Sequence, residues 1–288
     1  MGEDTRIAWA HHTLNWWVGC QKVSPGCDLC YAEGWAKRSG LVGWGPHAER
    51  RLTSRKTRNQ PLRWDRRAAE RGRRERVFVN SLSDYGDNRV PEGWRLGLYE
   101  AWRTTHNLDY LVLTKRPENL NRFLPGDWGA GFPNVWLGTT VEDTAALRRI
   151  DHLRRMPAAV RFLSLEPLIE PVDLSPWLSG IDWVIVGGES GPIGQVRPLA
   201  PATVRALRKQ CHDRGVRFFF KQTGSDRSQW PGVTGKGDTP DEWPEDLRVQ
   251  EFPRPPLGAY RTACAAASDG RWPSTSAARS PVAAGARP

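Results

Sequence analysis

The sequence predicts a TIM-barrel-like α/β fold, a full or partial β/α barrel of about seven parallel strands. Short apolar runs alternate with amphipathic helical segments along most of the chain, which indicates a parallel sheet covered on its outside by helices. Run after run also ends in polar side chains, as expected where the loops after the strands build one site. An open doubly wound sheet is the alternative.

Each expected strand is a short apolar run that opens into a polar turn. The first is expected just before Cys20, and the run at 77–79 leads into the polar sequence NSLSD. Runs of this kind are typical of strands that are buried on both faces. The other strands are expected at 110–113, 135–137, 160–163, 183–186 and 216–220.

Helices are indicated where apolar residues recur at helical spacing. Gly40 follows the first of them as a stop signal. Val204, Leu207 and Cys211 share one face of the last helix, so Cys211 is expected to be an inert core thiol. The expected helices are 31–38, 61–70, one that includes 94–102, 117–123, about 143–155 and 201–213.

The length of 288 residues allows one large core, and residues 1–254 are expected to form a single barrel domain. No apolar run approaches the ~20 residues of a membrane helix, and no secretory signal is visible. We therefore expect a cytoplasmic protein with reduced thiols. Residues 255–288, which include Cys264, have almost no apolar periodicity and are expected to be disordered.

The net charge of +10 is concentrated between residues 50 and 76, where twelve Lys or Arg residues stand against three acids. We call this stretch the basic segment. Clustered cations, with Trp64 among them, are typical of a surface that follows phosphates; an Arg-rich solvated helix is the simpler interpretation. The candidate contacts to nucleic acid or a nucleotide are Arg55, Lys56, Arg58, Arg63, Arg66 and Arg67.

Three of the five cysteines lie in the sequence GCQKVSPGCDLCYAE, from residue 19 to residue 33, which we call the cysteine segment. Six residues separate Cys20 from Cys27, and two separate Cys27 from Cys30. A Ser-Pro-Gly turn at 24–26 folds the chain back between them, so the three sulfurs are expected to face one centre. Thiolates are the ligands that hold zinc and iron–sulfur clusters, and these cysteines are the predicted metal ligands.

The identity of the metal is open between two interpretations. A structural zinc site needs a fourth ligand, which His11 or His12 could supply, and the chain would then be a zinc-stabilised nucleic-acid-binding protein. An iron–sulfur cluster held by three cysteines leaves one iron open to a non-protein ligand. The cluster would serve either S-adenosylmethionine chemistry or a redox function without that cofactor.

The cysteine segment, with the Leu-Asn-Trp sequence at 14–16 before it, resembles a three-cysteine-motif family of phage and bacterial proteins, uncharacterised and radical-SAM-like. The resemblance extends over roughly residues 6 to 253. The first cysteine spacing is six residues here and usually three in radical-SAM proteins, and Leu29 stands where those proteins have an aromatic residue. Further similar segments are VFVNSLSDYGD, LVLTKRPENL, NVWLGTTVED, RFLSLEPL, DWVIVGGESGP and VRFFFKQTG.

The resemblance implies a barrel with the cluster loop after its first strand. It implies that Cys20, Cys27 and Cys30 bind a [4Fe-4S] cluster, whose open iron is chelated by S-adenosylmethionine. An electron from the cluster would cleave the sulfonium, and the resulting radical would take hydrogen from a substrate. The electron donor would be external, and nucleic acid or a nucleotide is the expected substrate.

Two strand-end segments are candidates for the methionine end of the cofactor. The sequence GGES has suitable chemistry, because glycines permit close approach and a carboxylate accepts from an ammonium. The resemblance instead gives that role to the loop after the second strand. The candidates are Gly187, Gly188, Glu189 and Ser190 in the first segment, Asn80, Ser83 and Asp84 in the second, and Thr139 and Thr140 for ribose hydroxyls or for ordinary helix capping.

Four charged residues complete the candidate site. Lys115 and Arg116 directly follow a strand and would clamp a carboxylate or phosphate, or else cap the turn. Glu166 lies within an apolar run, where a carboxylate is costly unless it is paired or functional. Lys221 follows three phenylalanines. Glu166 and Lys221 are the predicted catalytic residues, with a simple ion pair between them as the alternative.

Overall fold

Seven strands form one parallel sheet in the computed structural model of the chain, which describes residues 2–253. Neighbours along the chain are also neighbours in the sheet, as in a β/α barrel. The two outermost strands do not pair with each other within residues 2–253, so the barrel is partial, and the predicted fold class is confirmed. In sheet order the strands are β1 (His12–Leu14), β4 (Glu75–Val79), β5 (Leu108–Thr114), β6 (Val135–Thr140), β7 (Arg161–Leu165), β8 (Trp183–Gly187) and β9 (Arg217–Gln222).

The strand expected just before Cys20 is not part of this sheet. Those residues form β2 (Trp17–Val18), which pairs antiparallel with β3 (Arg51–Leu52) in a sheet of two strands. The chain leaves the main sheet after Leu14, because the side chain of Asn80 accepts the hydrogen bond of the Trp16 amide, at 3.0 Å. The cysteine segment therefore lies in the long connection between β2 and β3, beyond the carboxyl end of β1.

The helices agree with the sequence pattern, except that two begin as 3-10 turns. Asp143 caps the 3-10 helix Thr144–Arg148 through the amide of Ala146, and the predicted helix at 143–155 is α-helical over only six residues. Gly40 ends the first helix with a φ of 63°, a left-handed conformation that glycine adopts without strain. No helix in the described chain is long and apolar enough to span a membrane. The helices are α1 (Tyr31–Ser39), α2 (Arg55–Arg58), α3 (Gln60–Glu70), α4 (Gly93–Thr104), α5 (Leu120–Phe123), α6 (Arg149–Arg154) and α7 (Pro201–Asp213), with further 3-10 turns at Pro25–Cys27, Pro117–Asn119, Pro240–Glu242 and Glu245–Leu247.

Side chains alternate between the two faces of the sheet. One face packs under the helices, where α7 contributes the buried Cys211 as predicted. The other face lines the barrel interior and contributes an aromatic layer, which Trp9 joins from the chain before β1. Gly138 makes room for this layer, since a Cβ there would lie 2.4 Å from the ring of Phe162. Strand residues of the layer are Phe78, Leu111, Trp136, Phe162, Trp183, Ile185 and Phe219.

Chain segments outside the strands cover both edges of the sheet. At one edge, the Thr13 amide donates to the carbonyl of Gly2, at 2.9 Å. At the other edge, the Phe220 amide donates to the carbonyl of Val249, at 2.8 Å. These bonds satisfy strand edges that would otherwise be open to other chains. The predicted disordered tail lies outside the described residues.

Both histidines near the amino end of β1 have structural partners. His12 Nε2 lies 2.8 Å from Glu75 Oε2, and its ring stacks on Trp64 with centroids 4.4 Å apart. The Arg76 amide donates to His11 Nδ1 at 2.8 Å. These contacts lie at the opposite end of β1 from the cysteine segment, so neither histidine is placed as a fourth zinc ligand. Trp64 is fully buried, so it is not available to stack on a base.

We predict that the His11→Asn variant loses less stability than the wild type as the pH falls from 6.5 to 4. Burial, followed by the nearby Arg76, lowers the pKa of His11 from 6.5 to about 4. In that window the unfolded chain binds a proton that the folded chain does not, so stability falls with the pH. Asn offers an oxygen to the Arg76 amide but does not titrate.

Urea unfolding at a series of pH values measures this difference, which is at most about 1.4 kcal/mol per pH unit for one proton. His212→Asn is the matched control, because that side chain is 89% exposed. If His11→Asn and the wild type show equal pH slopes, burial of neutral His11 does not contribute to the acid sensitivity.

Candidate functional site

A cavity of about 760 Å³ lies above the aromatic layer, at the carboxyl end of the sheet. Its lining combines the cysteine segment with residues that end the central strands and with the chain before β1. Cavities of this size hold ligands of the size of a cofactor or a small substrate. The sequence predicted a site at this end of the sheet, because polar residues follow several of the predicted strands.

The turn between the first two cysteines is anchored by two buried carboxylates. Ser24 Oγ donates to Glu142, and a Cβ on Gly26 would lie 2.9 Å from the side chain of Glu142. Arg197 donates to the carbonyl of Pro25, at 3.1 Å, and its guanidinium is paired with Glu189. Burial alone would raise the pKa of Glu142, but cations and the Ser24 hydroxyl hold that pKa below its usual value.

All three cysteines line the cavity, but their sulfurs do not face one centre. Cys20 Sγ accepts from Arg116 at 3.9 Å, and Cys27 Sγ lies 3.9 Å from Ser24 Oγ. No three His, Cys, Asp or Glu side chains within residues 2–253 are grouped closely enough to hold a metal ion. Bringing the three sulfurs to one metal therefore requires the cysteine side chains to rearrange.

Burial keeps two of these thiols protonated at neutral pH. It raises the pKa of Cys20 to about 12, with a further contribution from the carboxylate of Asp84. Burial likewise raises the pKa of Cys30. A bound metal would have to displace these protons, because the thiolate is the ligand form.

All three residues predicted in the loop after β4, Asn80, Ser83 and Asp84, line the cavity. Asp84 is occupied, because it pairs with Arg116 at 3.0 Å and accepts from the side chain of Thr114. Ser83 donates to the carbonyl of Trp17 at 2.9 Å. Asn80 has a φ of 61°, and its buried Nδ2 has no hydrogen-bond partner within residues 2–253.

Lys115, Thr140 and Ser164 form a polar row on the cavity wall, across the ends of three neighbouring strands. Thr140 pairs in register with Ser164, and Lys115 is one residue beyond the pair of Thr114 with Thr139. Thr140 and Ser164 are 2% and 1% exposed, and the three side chains make no hydrogen bond or ion pair to any residue from 2 to 253. The sequence analysis missed Ser164, although alternation along β7 places it on the inner face.

Thr139 points away from this row. It is fully buried, and its hydroxyl donates to the carbonyl of Thr114 at 2.8 Å. It does not line the cavity, so contact with a ribose, as the sequence suggested, does not fit its position.

Three residues of the GGES segment after β8, Gly188, Glu189 and Ser190, line the cavity, and each also makes contacts that pack the chain. A Cβ on Gly188 would lie 2.1 Å from the carbonyl oxygen of Thr223, so this glycine allows a close approach of backbone to backbone. Glu189 is occupied by Arg197, and Ser190 Oγ accepts from the Gln222 side chain at 3.0 Å. Gly187 lies outside the cavity lining. Sequence motifs gave no signal for Arg197.

Glu166 and Lys221 meet inside the cavity, where Lys221 Nζ donates to Glu166 Oε1. Gln222 Nε2 lies 3.5 Å from the same oxygen. The alternative interpretation of an ion pair is therefore present in the structure, while a catalytic role for the pair stays a prediction.

The basic segment contributes nothing to the cavity lining. Many of its cations are committed to carboxylates: Arg50 to the buried Asp87, Arg63 and Arg67 to Glu3, and Arg71 and Arg73 to Glu75. Arg58 lies over the ring of Trp16, at 5.8 Å. The cations of the segment that make no ion pair to a described residue include Arg55, Lys56 and Arg66, so fewer cations are available to contact phosphates than the sequence suggested.

Comparison with solved structures finds spore photoproduct lyase. A mutant of that enzyme with dinucleoside spore photoproduct is 12% identical, with a TM-score of 0.47, over 73% of this chain and 63% of that one. A second mutant, with bound AdoMet and dinucleoside spore photoproduct, has a TM-score of 0.46 at the same identity and coverage. The chain thus spans 63% of the length of these proteins, and a similarity this distant assigns it no activity.

No curated protein matches the chain. The model of one protein family matches residues 4–268, which is most of the sequence. That family is described as a protein of unknown function, and the chain belongs to it: the DUF5131 family.

Proposed function

We propose that this protein is an iron–sulfur enzyme that cleaves S-adenosylmethionine reductively and modifies a substrate by radical chemistry. The observation that supports the proposal most is the position of the three cysteines. They line one cavity at the carboxyl end of a parallel partial barrel, facing polar groups that have no partner among residues 2–253. In α/β barrels this end of the strands builds the active site.

The chain's residues fit a cluster with one open iron. Three cysteines supply three thiolate ligands, and the nearby histidines that would complete a closed zinc site are held at the other end of β1. Arg116, which already reaches Cys20 Sγ, would then hydrogen-bond a cluster ligand. Asp84 holds Arg116 in that place through their ion pair.

The polar row on the cavity wall suits the methionine end of the cofactor. Lys115 supplies a cation for the carboxylate, and the hydroxyls of Thr140 and Ser164 supply further donors. The unpartnered amide nitrogen of Asn80 is a fourth donor. Lys115 also helps to lower the pKa of the nearby Glu142 through its charge. These donors nevertheless make no hydrogen bond within the described chain and are buried or half-buried, which is costly unless a ligand or water satisfies them.

When bound, such a cluster supplies the electron that breaks a carbon–sulfur bond of S-adenosylmethionine. The chain's own part is to hold the reactants and to exclude water. The aromatic layer closes the cavity from below, with Trp9 and Phe78 in contact at 4.6 Å between ring centroids. Glu166 and Lys221, which pair with each other in the cavity lining, would hydrogen-bond a substrate that enters the cavity.

We predict that the protein binds about four iron atoms per chain when it is reconstituted anaerobically with iron and sulfide. Replacing Cys20, Cys27 and Cys30 together by Ala should abolish the iron–sulfur absorption and the release of deoxyadenosine from S-adenosylmethionine. Cys211→Ala is the matched control, because this cysteine is buried on α7 away from the cavity, and it should retain the full cluster.

Two outcomes would replace the proposal. Stoichiometric zinc without iron–sulfur absorption would mean a structural zinc site with a ligand set that these contacts do not provide. A cluster that forms but neither responds to S-adenosylmethionine nor cleaves it would mean an electron-transfer or redox-sensing protein.

We also predict that Lys115→Met weakens S-adenosylmethionine binding at least tenfold, because a hydrogen bond to a charged group contributes about 1.5–3 kcal/mol. Ser164→Ala should weaken binding about twofold to tenfold, as expected for a neutral hydrogen bond. Titration of the cofactor, followed by the change in the electron paramagnetic resonance spectrum of the reduced cluster, measures both effects. Lys56→Met, at an exposed lysine on α2, is the control; unchanged affinity in Lys115→Met would exclude the polar row as the carboxylate site.

A further inference from the structure

The cavity lining holds four cations and four carboxylates, but two of the carboxylates are neutralised by arginines from outside the lining. Three of its carboxylates are each neutralised by an ion pair: Asp84 by Arg116, Glu166 by Lys221 and Glu189 by Arg197. The remaining charged residues of the lining make no ion pair to any residue from 2 to 253. They are three cations against one carboxylate, Arg6, Lys115 and Lys236 against Asp238, an excess that favours an anionic ligand.

Two of these cations lie apart from the polar row that we assign to the cofactor. Arg6 precedes β1 and Lys236 follows β9, and these are the two strands that do not close the barrel. Both side chains belong to exposed residues that also line the cavity. We call the gap between β1 and β9 the open edge of the barrel. The chain segments beside it bring two cations, Arg6 and Lys236, and one carboxylate, Asp238, to the cavity.

Trp9 adds an unpartnered donor on the same side. The residue lines the cavity and is 2% exposed, and its indole Nε1 has no hydrogen-bond partner within residues 2–253. A buried indole N–H usually finds a partner. The indoles of Trp16, Trp17, Trp64, Trp102 and Trp136 are also unpartnered within residues 2–253 but do not line the cavity, whereas a ligand in the cavity is adjacent to Trp9. Trp44 is a second lining residue with an unpartnered indole.

We propose that Arg6, Trp9, Trp44 and Lys236 form a subsite for a nucleotide unit of the substrate. Guanidinium and ammonium groups bind phosphate oxygens. The half-buried ring of Trp44 can stack on a base, whereas the buried Trp9 contributes its indole N–H as a donor. A nucleotide bound here is a substrate only under the proposed function, so the inference rests on that function. Binding of the nucleotide itself needs neither the cluster nor the cofactor. The proposed nucleic-acid contact is therefore at the open edge of the barrel, and not on the basic segment that the sequence indicated.

The test uses metal-free full-length protein and a fluorescein-labelled single-stranded oligodeoxynucleotide of about ten nucleotides, a length within the usual site sizes. Fluorescence anisotropy at several salt concentrations measures the affinity. The double variant Arg6→Glu with Lys236→Glu should bind at least tenfold more weakly. Its slope of log affinity against log salt should be shallower by about 1.4, for two lost phosphate contacts. Trp9→Phe should bind about threefold to tenfold more weakly, with an unchanged salt slope.

Two matched control variants test whether the oligonucleotide binds at this subsite. Trp136→Phe removes an equally buried indole outside the cavity lining and should leave the affinity unchanged. The pair Lys56→Glu with Arg66→Glu reverses two charges of the basic segment and should have little effect on the affinity. Loss of binding in that pair, with wild-type affinity in the Arg6 and Lys236 pair, would overturn the inference and favour the basic segment.

The outcome is independent of the cluster experiment. If no cluster forms and the Arg6 and Lys236 pair still loses affinity, the subsite stands and the radical function fails. If the protein cleaves S-adenosylmethionine and the double variant binds as the wild type does, the subsite alone fails. The subsite is also excluded if the wild-type protein does not bind the oligonucleotide at ~100 µM, the weak end of the range for non-specific binding.

Discussion

Two buried carboxylates hold the cysteine segment over the barrel, and the geometry of the site depends on them. Glu142, after β6, accepts from Ser24 and Arg149, while Glu189, after β8, binds Arg197, which reaches the carbonyl of Pro25. A carboxylate removed from water is costly unless its oxygens are satisfied, and both are satisfied here. The segment is thus fixed by strand ends that are more than a hundred residues away in sequence.

The aromatic layer sets where the cavity begins. Large rings fill the amino half of the barrel interior, and Gly138 provides the space that Phe162 needs. Because the layer closes this half, only the carboxyl ends of the strands remain open to a ligand. Trp9, which comes from outside the sheet, extends the layer toward the gap between β1 and β9.

Apolar runs that alternate with amphipathic helical segments, and that end in polar residues, were sufficient to predict the sheet and the position of the cavity at its carboxyl end. They did not reveal which polar groups are occupied by partners. Asp84 and Glu189 have the chemistry of ligand-binding carboxylates, yet Arg116 and Arg197 neutralise them. The same holds for the basic segment, where Arg50 pairs with Asp87. Such pairs join positions distant in sequence, and local patterns contain no signal for them.

The polar groups of the cavity are of two kinds, those paired within the protein and those without a partner, and the two kinds have different roles. Paired groups such as Glu189 with Arg197 tie chain segments together, and exchanging one partner would leave a buried charge uncompensated. Polar groups without a hydrogen-bond partner are disfavoured by burial, so their position in a cavity wall favours a bound ligand. They lie in two places, on the central strands at Lys115, Thr140 and Ser164, and at the open edge near Trp9. Two separate sets of unpaired donors are what a cofactor and a substrate bound side by side would require.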